Sequence, residues 1–204
     1  MKLLLSTLLY TFLLLYQAPL QAQYKANPNG NGGMLHGYTL QGQEEHNWCW
    51  AASGSMVMTY VSASHAPEQC TEVQDRFHGN CCVDSASSTC NKPGWPNFEA
   101  YGFKAEQTKK TALSFEQIKS NLEANSPVCF TWLWTTGGGH MLTVDGWAII
   151  NGVEHIHVQD SWPVGTGRSY WITYQAYVSG PNYHHGNDIC QITHRSLFDR
   201  LLNE

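Results

Sequence analysis

Cys49 stands where a polar, extended lead-in gives way to a run, residues 49–62, that is apolar or small on every face. A thiol at the N-terminus of a helix meets unpaired N–H groups and the positive end of the peptide dipoles. Both favour thiolate, the nucleophilic form. Gln43, six positions before Cys49, can offer its side-chain amide to an oxyanion forming near the sulfur. Acyl transfer at a cysteine also needs a base, and a group to orient that base. Of ten histidines, His140 is the best placed: Gly137, Gly138 and Gly139 precede it and a strand-like run follows. Asp160, followed by Ser161 and Trp162, ends the next strand and could accept the imidazole N–H. Trp162 could shield that bond from water, which strengthens it. Asp145, on the His140 strand itself, is a rival orienter.

Two kinds of element must bring these side chains together. Residues 49–62 carry no charge, and a helix without a charged face is a buried helix. Residues 67–78 predict an amphipathic helix, with Pro67 in its first turn and Gly79 as its stop. Residues 114–125 predict a third, with a capping box from Ser114 to Gln117. The period then shortens, and residues 128–134, 140–149, 155–159, 169–174 and 189–193 read as strands between Gly- and Asn-containing turns. Residues 197–202 form a short amphipathic tail. The expected fold class is therefore α+β. An N-terminal helical half with a buried nucleophile helix packs on a C-terminal antiparallel β-sheet half, with a cleft between them.

The first 22 residues are not part of that fold. Met1-Lys2, an apolar run over 3–15 and small residues up to Ala22 read as a secretory signal peptide. Residues 23–37 are Asn/Gly-rich and predict a flexible leader, leaving 38–204 as one catalytic domain. Charged residues make up 13% of the chain and the net charge is −5, so the basic footprint of a nucleic-acid binder is missing. Seven cysteines in an exported chain leave one thiol over, and position nominates Cys49. The other six are disulfide candidates. Cys81 and Cys82 reach towards Cys70 and Cys90 in either pairing, and Cys129 and Cys190 bridge two strands.

In chain order, Gln43, then Asn47-Trp48-Cys49-Trp50-Ala51-Ala52, then Gly138-Gly139-His140, then Asp160-Ser161-Trp162 resemble the signature of papain-like cysteine proteases. The nearest likeness is to the compact bacterial secreted and effector type with Trp-Cys-Trp-Ala-Ala at the nucleophile. It runs from Gln43 to about Tyr174, and the 70–90 segment with its Cys-Cys pair is similar too. The resemblance implies Cys49 as nucleophile, His140 as general base and then acid, and Asp160 as orienter. Gln43 and the backbone N–H of Cys49 would form the oxyanion hole. It also implies a thioester acyl-enzyme and no metal or organic cofactor. Three departures stand out. Asp160 replaces the Asn of the larger enzymes, His46 replaces a cysteine, and the interval from Cys49 to His140 is shorter than their roughly 130–150 residues.

The expectation is a secreted (extracellular or periplasmic) papain-like cysteine endopeptidase. It would be a monomer acting on peptide or protein substrates, with no nucleic-acid partner and no membrane anchor. The alternatives are a papain-fold amidase, peptidoglycan hydrolase or transamidase with the same triad, or a non-catalytic papain-fold binding module. Among the remaining polar residues, His155 and His157 alternate on one strand face and read as solvated rather than metal-bound. His184 and His185 read as a solvated loop pair, and Glu44 and Glu45 as surface of the lead-in.

Overall fold

The computed structural model describes residues 23–195. The expected signal peptide and the amphipathic tail lie outside the described residues.

The helical half is built on α1 (Cys49–Ser62), whose bounds match the uncharged run. Every residue from Trp50 to Met58 is buried. Gly54 lets α1 pack closely: a Cβ there would lie 2.9 Å from Pro96 and 3.0 Å from both carboxylate oxygens of Glu72. Glu72 belongs to α2 (Gln69–Phe77), which ends at His78 in the left-handed conformation (φ 57°), one residue before the expected stop. Gly79 serves packing instead: a Cβ there would come 3.0 Å from Cys90 Sγ. Two disulfides, Cys70–Cys82 and Cys81–Cys90, tie the following loop to α2 and to itself. Few apolar side chains anchor this loop, and bridges of this kind contribute about 2–5 kcal/mol in small secreted domains.

Among the described residues the sheet half has nine strands in antiparallel pairs. β1 (Gln23–Ala26) and β2 (Gly32–His36) form a hairpin on the edge. β3 (Phe103–Gln107) is followed by α3 (Phe115–Glu123), which carries the expected capping box between Ser114 and Gln117. β4 (Val128–Trp134), β5 (Gly139–Ile150), β6 (Val153–Asp160) and β7 (Arg168–Thr173) then lead to the short α4 (Tyr174–Val178). β8 (Ser179–Gly180) and β9 (Tyr183–His194) close the sheet. β5 is its hub, pairing with β2, β4 and β6. The core divides into two clusters. Trp48, Trp50, Phe103 and Met141 pack with α1 and α2, and Ile118, Leu122, Phe130 and Tyr177 pack around α3 and α4.

Two expectations are corrected here. Residues 23–37 are not a loose leader, because Gly32, Gly33 and Met34 pair with Ala148, Trp147 and Gly146 of β5. The Asn- and Gly-rich run is a hairpin turn, with Gly30 at φ 71°. Trp147 Nε1 donates to Tyr24 Oη at 2.8 Å and pins the hairpin to the sheet. The Cys129–Cys190 bridge is also absent: both thiols are free and buried. Cys129 lies directly opposite Ile189 in the β4–β9 ladder. Cys190 is therefore one residue out of register, and in a pleated strand that turns its side chain to the opposite face. Cys129 joins the cluster of Trp48 and Met141, whereas Cys190 joins that of Leu113 and Leu122.

Candidate active site

α1 presents Cys49 as its first residue, with Trp48 before it and no side chain capping the helix end. The first N–H groups of the helix therefore stay available beside the sulfur. β5 delivers His140 near its start, where Gly139 approaches the β4 backbone: a Cβ there would lie 2.7 Å from the Trp132 carbonyl. β6 delivers Asp160 as its last residue. The three side chains converge. His140 Nε2 lies 2.6 Å from Asp160 Oδ1, which leaves Nδ1 for the Cys49 thiol, with which the imidazole is hydrogen-bonded.

Electrostatics follow from that geometry. Burial alone would raise the Cys49 pKa, but the hydrogen bond and charge of His140, with backbone N–H groups, outweigh it and the thiol is lowered below its usual 9.0. Burial alone would lower His140; its bonds to Asp160 and Cys49 prevail and lift it to about 9. Burial would raise Asp160, yet His140, the Trp162 N–H and Tyr170 hold it below the ordinary carboxylate range. The pair thus favours thiolate and imidazolium over the neutral couple. The His140–Asp160 bond is screened from water, since the two side chains are 16% and 3% exposed.

Gln43 is buried beneath the site. Its Oε1 accepts from Ser161 Oγ at 3.0 Å, and its Nε2 donates to the carbonyls of Glu45 at 2.7 Å and His46 at 2.8 Å. Its backbone is strapped to the loop after Asp160, with Gln43 N donating to the Ser161 carbonyl and Gly165 N donating to the Gln43 carbonyl. Both amide hydrogens thus brace the turn into Cys49, and one must be shared with an oxyanion if one forms. Trp162 donates its backbone N–H to Asp160 Oδ1 at 3.0 Å, while its ring remains 40% exposed and meets the His46 ring edge-on.

Asp145 is engaged elsewhere. It is buried and accepts from His157 Nδ1 and Gln159 Nε2, both at 2.7 Å. His157 is accordingly a buried-network residue rather than a solvated one, whereas His155 Nδ1 lies 2.9 Å from the carbonyl of Val153. The expectation of a solvated 184–185 pair is corrected for His185: it lies near the start of β9, is buried, and pairs with the fully buried Asp188 at 2.9 Å. Tyr177 Oη donates to the other oxygen of Asp188, so this network closes on itself. Sequence reading missed Arg168 and Tyr170, both of which bond Asp160 Oδ2. Counting register back through the turn after Asp160 would have set Arg168 opposite it, but β7 was expected to begin one residue later.

The Peptidase_C39 like family profile matches residues 35–187. Among solved structures, xylellain, a cysteine protease from Xylella fastidiosa, is similar with a TM-score of 0.51 at 13% identity, covering 86% of this chain and 92% of its own. A structure concerned with the mite allergens Blo t 1 and Der p 1 is similar with a TM-score of 0.41 at 11% identity, covering 87% of this chain and 73% of its own. No curated protein matches. The chain has a papain-like α+β fold, with helices and an antiparallel sheet sharing both core clusters.

Proposed function

The chain belongs to the Peptidase_C39 like family, and from that premise we propose that it is a secreted cysteine endopeptidase with Cys49 as nucleophile. The observation that carries the reading is the contact series from the Cys49 thiol through His140 to Asp160. The Cys49 thiolate attacks a peptide carbonyl, forming the S–C bond of a tetrahedral intermediate. The backbone N–H of Cys49 and the amide of Gln43 stabilise the oxyanion. His140 gives its proton to the leaving amine as the C–N bond breaks, and a thioester remains. Water, deprotonated by His140, then cleaves the thioester and restores the thiolate. Asp160 holds the imidazole in line throughout. The reading includes a peptide or protein substrate and a monomer without membrane anchor. Removal of residues 1–22 on export agrees with the two disulfides.

Intact mass of the unreduced protein, before and after an epoxysuccinyl thiol inhibitor, tests this. A single adduct mapping to Cys49 is expected in the native state, because Cys129 and Cys190 are buried. After denaturation without reductant, alkylation should report three thiols, with the other four cysteines protected in two bridges. An unmodified or disulfide-bonded Cys49, with another cysteine reacting instead, would overturn the peptidase reading.

A further inference from the structure

Asp160 carries more donors than an orienting carboxylate needs. On Oδ1 it receives His140 Nε2 at 2.6 Å and the Trp162 N–H at 3.0 Å. On Oδ2 it receives Arg168 Nε and Nη2, each at 3.1 Å, and Tyr170 Oη at 3.0 Å. The β6–β7 ladder produces this division. Arg168 lies directly across from Asp160 and Tyr170 two residues further along, and the guanidinium lies over the Tyr170 ring, 5.2 Å from its centre. The carboxylate is itself buried, while the Arg168 side chain is 60% exposed.

We propose that Arg168, assisted by Tyr170, is a positioning residue that holds Oδ2 of Asp160 and offsets its charge, so that Oδ1 alone faces His140. The inference rests on the Cys49–His140–Asp160 reading. Its physical content is twofold. With three donors fixed on Oδ2, the carboxylate cannot rotate about its Cβ–Cγ bond without breaking them, so the imidazole is held by a single aligned oxygen. An uncompensated carboxylate would also hold the His140 proton more tightly and make the imidazolium a poorer acid towards a leaving amine. A guanidinium on the far oxygen lessens that grip without removing the acceptor. An asparagine could not take the same place, because its Nδ2 would face the donors of either Arg168 and Tyr170 or His140. The titratable and charged groups facing the cluster are Cys49 from α1, His140 from β5, and Arg168 and Tyr170 from β7, with His46 against the Trp162 ring.

The test is the titration of His140 in the full protein. It is followed by NMR of ¹⁵N-labelled imidazoles, with the resonance assigned by its loss in His140→Asn, and alongside it the pH profile of Cys49 alkylation. Removing the cation in Arg168→Gln is expected to raise the His140 midpoint by about half a pH unit at low salt, the modest effect of one exposed charge. High salt should shrink the difference, because the wild-type guanidinium is already screened there. Arg168→Lys should restore most of the wild-type midpoint, and Tyr170→Phe should shift it in the same direction by less. Arg168 is exposed, so thermal unfolding of Arg168→Gln should stay close to wild type. A midpoint unchanged or lowered in Arg168→Gln overturns the inference and leaves the peptidase reading standing. A wild-type His140 that titrates as a free imidazole beside an ordinary Cys49 thiol overturns both.

Discussion

Cys49→Ala is expected to lower peptide hydrolysis, measured on casein or a mixed peptide library, by roughly 10⁴–10⁶-fold, with the thermal midpoint nearly unchanged. His140→Ala should fall into the same range, and the double variant should fall no further. Nucleophile and base act as one unit: without the sulfur the imidazole has no proton to take, and without the imidazole the leaving amine receives none. The wild-type profile of kcat/KM against pH should be bell-shaped. Its acid limb lies below the ordinary thiol value because His140 stabilises the thiolate, and its alkaline limb lies at about 9, where the imidazolium is lost. A loss of less than about a hundredfold in Cys49→Ala, or a wild-type rate still climbing past pH 9, would remove Cys49 or His140 from the chemistry. Because the two groups titrate together, the limbs belong to the pair rather than to either side chain alone.

Much of this arrangement is legible in the sequence, and the reasons are local. α1 was bounded to the residue because an uncharged run with a polar lead-in has one way to be buried. β4 was bounded equally well, since residues 128–134 form a short apolar run between turn residues. The convergence of Cys49, His140 and Asp160 rested on motif order, which spacing alone could not have supplied. What escaped depended on register. The side to which Cys190 turns is decided by which residue of β4 lies opposite it, and that pairing is set by tertiary contacts. Arg168 and Tyr170 were hidden for the same reason. β3 buries only Phe103 and leaves its other four residues exposed, so it has no alternation to detect. The N-terminal hairpin is hidden in the sequence because Asn and Gly mark both flexible tethers and tight turns. The deciding feature, the free edge of β5, lies more than 100 residues away.

The largest expected effect on stability comes from a group outside the triad. Glu72 on α2 is 1% exposed; its Oε1 accepts the Asn97 N–H at 3.3 Å, and its Oε2 is buried without a hydrogen-bond partner among the described residues. Both oxygens face the gap left by Gly54 in the nucleophile helix. Burial raises its pKa to about 8, against the opposing pull of the Asn97 N–H and Arg76. The folded state therefore holds a proton that the unfolded chain, titrating near 4.5, releases. Stability must fall as pH rises between those two values, by roughly 1.4 kcal/mol per unit and up to about 5 kcal/mol in all. Glu72→Gln keeps the acceptor for Asn97 and abolishes the titration. Urea unfolding of the two proteins should give similar stabilities near pH 5 and a variant several kcal/mol more stable near pH 9. An equal decline with pH in both proteins would show that the proton resides elsewhere. Because Glu72 packs against the helix that carries Cys49, an ionised carboxylate there would loosen the support of the nucleophile at the alkaline end of its working range. The same variant should therefore resist alkaline inactivation on prolonged incubation while its initial rate at neutral pH stays close to wild type.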